Sequence, residues 1–255
     1  MRIALIAASS KGLGRALALE LGAAGNHVVV TGRDAAATDE VVGEIASRGG
    51  SAEAMRLDVT DPAGIEDTMA KVGRSHGRLD VLVTNAGGPP PGSFEDLDDA
   101  GWQTAFELTL MSVVRLLRGA LPLLRHSDAA RVLAFTSSSL FQPIENLTLS
   151  NVFRPAIRAL VKDLSLGLAK DGILVNAIAP GRIATERIAV LDADRARRLG
   201  IPADEAKARE VARIPLGRYG EPREFARVAA FLVSPENSYM TGQAVLVDGG
   251  LVRAL

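Results

Sequence analysis

Ile3-Ala4-Leu5-Ile6-Ala7-Ala8-Ser9-Ser10-Lys11-Gly12-Leu13-Gly14-Arg15-Ala16 opens the chain with a short apolar run, a turn of small residues and the start of an amphipathic stretch. So short an apolar run reads as a strand, and the small residues after it let the backbone approach whatever lies beyond the strand end. The helix that succeeds the turn presents free N–H groups and the positive end of its dipole at that place, which suits a pyrophosphate. Such a turn also occurs as an ordinary strand-to-helix connection, so its meaning depends on the rest of the chain.

Beyond residue 16 the alternation repeats. Apolar runs predict strands at 3–7, 27–31, 52–57, 79–84, 131–136, 173–178 and 243–247. Amphipathic stretches between them predict helices at about 14–24, 35–48, 63–75, 100–125, 149–170 and 222–233. Strands alternating with helices specify α/β architecture, here a Rossmann-type doubly wound parallel sheet of seven strands in a single domain over residues 1–255. The nearly unbroken apolar runs imply strands buried on both faces. Two segments read as irregular: the Gly/Pro-rich 87–93 and the charged 182–221, a candidate substrate lid.

Composition removes several function classes. A chain of 255 residues with 47% hydrophobic content can bury a full core, and its formal net charge of -1 gives no reason to expect nucleic acid. Cysteine is absent, and His27, His76 and His126 lie far apart without ligand spacing, so no metal site is expected. The first apolar run is too short to span a membrane and lacks the layout of a secretory signal. The expected location is cytoplasmic, with no membrane partner.

Further motifs stand at the strand ends: Asp58-Val59 after the third, Asn85-Ala86-Gly87 after the fourth, Pro180-Gly181 after the sixth and Asp248-Gly249-Gly250 after the seventh. In open α/β sheets ligands bind outside these carboxyl ends. In order and spacing the set resembles the short-chain dehydrogenase/reductase family, especially its 3-oxoacyl carrier-protein reductase branch, over nearly the whole chain. The resemblance implies a nicotinamide dinucleotide held at the first turn by Ser10, Lys11, Gly12, Leu13 and Gly14. It implies adenine against Asp58 and Val59, the adenosine ribose beside Asn85, Ala86 and Gly87, and the nicotinamide amide on Pro180, Gly181, Ile183 and Thr185. The family's first turn begins Thr-Gly where this chain has Ala7-Ala8. If that backbone needs positive φ, the Ala8 methyl is unfavourable and cofactor affinity falls.

Charge indicates which dinucleotide. An acid at the end of the second strand binds the ribose hydroxyls of NAD, whereas a nearby arginine suits a 2′-phosphate. Val30-Thr31-Gly32-Arg33-Asp34 puts Gly32 where the acid is expected, and Arg33 and Lys11 can both reach a phosphate, which favours NADP(H) over NAD(H). The plainer alternative has both cations solvated and Asp34 capping the next helix.

The catalytic half departs from the resemblance. The family carries a serine after the fifth strand, a tyrosine thirteen residues on, a lysine four beyond that, and an asparagine in the preceding long helix. Carried over by position, these fall on Ser137, Ser150, Arg154 and Thr109, and no tyrosine lies between Trp102 and Leu199. The usual proton donor at the carbonyl oxygen is then missing, a loss of on the order of 10² to 10⁴ in rate. Glu145 could replace it if burial raised its pKa, or it could be a solvated loop carboxylate. Ser150 could orient water or substrate, or cap the following helix. Arg154 could bind the cofactor ribose or an anionic substrate, or form a surface ion pair. Ser137 could act in the site or serve as a turn residue.

Pro155 would break a helix running through Asn151, or the helix could begin near Arg154. In the lid, Asp194/Arg198 and Glu205/Arg209 have helix ion-pair spacing, and its arginines suit an anionic or carrier-linked substrate, a small molecule or acyl thioester. The resemblance implies a homodimer or homotetramer through the helices from Ala100 and Leu149 and the last strand. The face Phe106, Leu110, Val113, Val114 and Leu117 could serve there or pack on the sheet. Two functions fit: an NADP(H)-dependent oxidoreductase with altered catalytic residues, or a catalytically silent dinucleotide-binding or scaffold protein.

Overall fold

The first apolar run forms β1 (Ile3–Ile6), whose four side chains are all buried, and it pairs in parallel with a neighbour on each side. Those neighbours are β2 (His27–Gly32) and β4 (Val81–Thr84). With β3 (Ser51–Arg56), β5 (Arg131–Phe135), β6 (Leu174–Pro180) and β7 (Ala244–Val247) they make one seven-stranded parallel sheet, ordered β3-β2-β1-β4-β5-β6-β7. The computed structural model describes residues 1–254. All seven expected strands are present. Burial on both faces holds for the inner strands, but the edge strands β3 and β7 are mostly half-buried, because each lacks a neighbour on one side.

Helices cover both faces. On one side α1 (Gly12–Ala23), α2 (Ala35–Ser47) and α9 (Pro222–Val233) bury Leu17, Val41, Ile45, Phe225 and Leu232. On the other, α3 (Pro62–His76), α5 (Ser112–Leu124) and α6 (Thr148–Gly167) bury Ile65, Met69, Leu116, Ile157 and Val161. Their starts have local causes. Asp34 caps α2 by accepting from Ala37 N at 3.2 Å, Asp61 caps α3 ahead of Pro62, and Glu221 and Glu224 form a capping box around Pro222.

One expectation is corrected, and two alternatives that the sequence left open are decided. The helix expected over 100–125 is two: α4 (Asp99–Phe106) passes through a π-helical turn, Glu107–Met111, into α5. The helix holding Pro155 does not begin near Arg154; α6 starts at Thr148 and runs through the proline, whose missing N–H leaves the Asn151 carbonyl without its helical partner. On the proposed oligomer face, Val113 and Leu117 are in the core and Phe106 packs on Phe153 with ring centroids 6.0 Å apart, so much of it faces inward. The charged segment 182–221 contains α7 (Glu186–Leu199) and α8 (Ala203–Ala212), with the expected Asp194–Arg198 and Glu205–Arg209 pairs at 3.4 and 2.6 Å. No described helix is long and apolar enough to cross a membrane.

Candidate functional site

The strand order reverses between β1 and β4, and a cleft of about 830 Å³ opens there at the carboxyl ends of the strands. The first turn forms its floor. Ser9 fastens it, donating its N–H to Thr31 O at 2.7 Å and its hydroxyl to Ile6 O at 2.8 Å. Ala8 takes φ +48° and Gly12 φ +57°, so the condition under which the Ala8 methyl is unfavourable is met. A Cβ on Gly14 would lie 2.6 Å from Ala8 O, which is why the helix can approach only with glycine there. Lys11, the N-cap of α1, gives it no side-chain cap, leaving first-turn N–H groups for a ligand.

The sequence-derived residues line this cleft together: Ser10, Lys11, Gly12 and Leu13 from the first turn, Arg33, Asp58 and Val59 after the second and third strands, Asn85, Ala86 and Gly87 after the fourth, and Pro180, Gly181, Ile183 and Thr185 after the sixth. Gly14 is buried beneath them and sets the helix position instead of lining the space. Asp58 accepts from Thr60 N and Oγ1 at 3.0 and 2.7 Å, and these bonds, with Arg33 and Arg56 nearby, hold its pKa below the usual carboxylate value. Arg33 has no carboxylate within 4 Å among the described residues, whereas Lys11 approaches Glu186 at 3.9 Å.

At the far end the cleft reaches Ser137, Ser150 and Arg154, while Thr109 does not line it. Thr109 is buried in the π-helical turn, its hydroxyl without a partner among the described residues. Ser137 acts as a turn residue, accepting from Ser139 N at 3.2 Å. Ser150 does not cap α6, whose N-cap is Leu147; it lies inside the first turn with its hydroxyl 3.4 Å from that of Ser139. The surface ion pair considered for Arg154 is absent. Arg154 is only 7% exposed as a residue, donates Nη1 to Phe135 O at 2.8 Å and has no carboxylate within 4 Å among the described residues. Burial, followed by the charge of Arg187, brings its pKa down to about 10, so it remains a cation at neutral pH.

Glu145 is at the rim with a largely exposed carboxylate, between Arg195 and Arg198 at 3.6 Å each, so the burial on which its reading as a replacement depended is absent. Sequence reasoning did not single out Arg187, which reaches from α7 across the cleft to donate Nη2 to Pro89 O at 2.6 Å. Nor did it find the knot of charges joining α7 and α8. Arg182 bridges Asp192 at 2.6 Å and the buried Glu210 at 2.7 Å, and Glu210 also meets Arg195 and Arg213 at 3.1 Å each. Tyr219 donates to Asp192 at 2.9 Å, and burial with that bond pushes its phenol well above the ordinary value. The phenol is thus tied into the knot.

The histidine reading is also corrected. His27 and His76 converge on Glu53 at the opposite end of the sheet, their Nε2 atoms 3.4 and 2.6 Å from the same carboxylate oxygen. The β2–β3 register and the end of α3 bring them together, and their ligand atoms all lie within 4.8 Å of one another. Ser51 bonds the other His27 nitrogen at 2.7 Å, so hydrogen bonds account for the cluster.

A glycine-lined floor and an uncapped helix start fit a dinucleotide laid along the switch point, with the Ala8 methyl at positive φ as a misfit. This defines a doubly wound α/β protein of the dinucleotide-binding kind. A family model described as Enoyl-(Acyl carrier protein) reductase matches residues 7–252. The chain is 31% identical over 254 residues to the 7alpha-hydroxysteroid dehydrogenase of Escherichia coli, covering 100% of this chain and 95% of that protein. It is 32% identical over 254 residues to 3-oxoacyl-(acyl-carrier-protein) reductase FabG of Escherichia coli, covering 98% and 97%. The crystal structure of YwfH, an NADPH dependent reductase involved in bacilysin biosynthesis, superposes with a TM-score of 0.95 at 26% identity, covering 100% and 99%. The chain belongs to the short-chain dehydrogenase/reductase family.

Proposed function

We propose that the protein is an NADP(H)-dependent oxidoreductase that transfers hydride between the nicotinamide and a carbonyl or alcohol carbon of a small molecule or acyl thioester. The observation that carries this is the cleft: an uncapped helix start on its floor and Arg33, without a carboxylate partner, beside Gly32. The helix N–H groups would hold the pyrophosphate and Arg33 the 2′-phosphate, while Pro180, Gly181, Ile183 and Thr185 would orient the nicotinamide. That YwfH is an NADPH dependent reductase supports the same cofactor. Bound, the dinucleotide supplies or accepts the hydride. In this reading Ser150, Arg154 and Thr109 occupy the family's tyrosine, lysine and asparagine positions. Arg154 then offers a fixed positive charge and passes on no proton, because it does not titrate near neutral pH.

The second reading, a catalytically silent dinucleotide-binding protein, is favoured by one observation: Tyr219 is committed to Asp192 and the other tyrosine, Tyr239, is 98% exposed on the surface. Titrating NADPH and NADH while assaying a panel of ketones, aldehydes, sugar alcohols and acyl thioesters separates the two. Binding with turnover supports the oxidoreductase, binding without turnover the silent protein, and no binding overturns both. Ser150→Tyr with Arg154→Lys, made with and without Thr109→Asn and Pro155→Ala, should create or raise ketone reduction by at least about tenfold if only the proton relay is missing.

A further inference from the structure

Arg154 is a buried cation with no anion beside it. Its Nε has no partner among the described residues, and the charged group acting on it is another cation, Arg187. Burying an uncompensated charge is costly, and structures keep such a group when a ligand completes it. Arg187 is half-buried, likewise has no carboxylate within 4 Å among the described residues, and is pinned across the cleft on Pro89. Both arginines line the cleft together with Ser137 and Ser150, and Arg154 is anchored on Phe135 O at the end of β5. The other lid-side arginines of the cleft differ: Arg182, Arg195 and Arg213 all pair with Glu210.

We propose that Arg154 and Arg187 form an oxyanion-binding subsite, so that the substrate of this enzyme carries a carboxylate or a phosphate monoester close to its reacting carbon. The inference rests on the oxidoreductase reading for the word substrate and deepens it. An arginine fork matches the planar oxygens of a carboxylate or two oxygens of a phosphate, where a lysine would give a point charge. The buried hydroxyl of Ser150 lies on the same wall and can donate to the bound group. An anion held there shares the cleft end where Pro180 and Gly181 would seat the nicotinamide.

The test measures binding of two matched pairs, benzoate against benzamide and phenyl phosphate against phenol, by calorimetry on the protein with and without NADP⁺. At least one anion should bind tenfold or more tightly than its neutral partner, and the pair that discriminates identifies the chemistry. Arg154→Met should abolish that preference and leave NADP⁺ affinity within threefold. It should also raise the melting temperature, since a strained buried charge is replaced by an apolar chain. Arg187→Gln, at a less buried position, should lower the preference severalfold and keeps the test open if the first variant misfolds. Equal binding of anion and neutral partner in both pairs overturns the proposal. So does an Arg154→Met protein that keeps the preference, or one that loses NADP⁺ as strongly as the anion, since Arg154 would then serve the cofactor. Anion preference without turnover of any carbonyl compound leaves the subsite standing and defeats the oxidoreductase reading; turnover without anion preference does the reverse.

Discussion

Two residues on the cleft floor make opposite contributions. Ala8 occupies left-handed backbone at φ +48°, which costs a residue with a Cβ roughly 1–2 kcal/mol relative to glycine. Ala8→Gly should therefore raise stability by about 1 kcal/mol in urea denaturation, and NADPH titration should report tighter binding because the methyl lines the cleft. An unchanged midpoint would mean that the turn carries no strain at Ala8. Arg33 acts by charge. Arg33→Ala should weaken NADPH by about 1.5–3 kcal/mol and NADH far less, since a charge-assisted bond to a 2′-phosphate is available only to the first. Equal losses would remove the basis for preferring NADP(H). The sequence alone identified the Ala8 substitution and stated the φ that would make it matter, but φ itself depends on how β1 and α1 meet, which no local pattern carries.

Among the elements, the helix pair α7 and α8 depends most on charge. Glu210 is 2% exposed and meets three arginines, so it joins α8, through Arg182 and Arg195, to the loop after β6 and to α7. Glu210→Gln keeps the shape, removes the charge and leaves buried guanidiniums short of a counter-charge, which should cost on the order of 3 kcal/mol. Limited proteolysis should then cut within 186–212 sooner than in the wild type, and an unchanged digestion pattern would show that the helices are held by packing alone. The ion pairs along each helix were legible from i,i+4 spacing, whereas the knot was not, because its charged members come from three separate segments and each looks like an ordinary surface charge. The π-helical turn at Glu107–Met111 escaped for another reason: it adds a residue to a turn without leaving the helical path, so the apolar pattern runs on through it.

For the whole molecule, the seven strands and the cleft were readable because a parallel sheet announces each strand as an apolar run and places every ligand-facing loop directly after one. The catalytic end was less so: Arg154 could be surface or interior until α6 was seen to continue through Pro155 and carry it beneath β5. Assembly is argued at this scale too. β7 is an edge strand with half-buried apolar side chains, and α6 leaves Val152 48% and Leu166 72% exposed, surfaces that a second copy would cover. Light scattering at micromolar concentration should give a dimer or tetramer, and a monomer alone would refute the assembly. Strand order has a further consequence, for synthesis. β1 leaves the ribosome ahead of the other six strands yet lies in the sheet interior, and its β4-facing edge stays unpaired until Val81–Val83 have been made. At roughly 5–20 residues per second that interval is about 4–15 s. For those seconds the nascent chain holds an apolar strand with an open edge, the state that invites intermolecular pairing and chaperone capture.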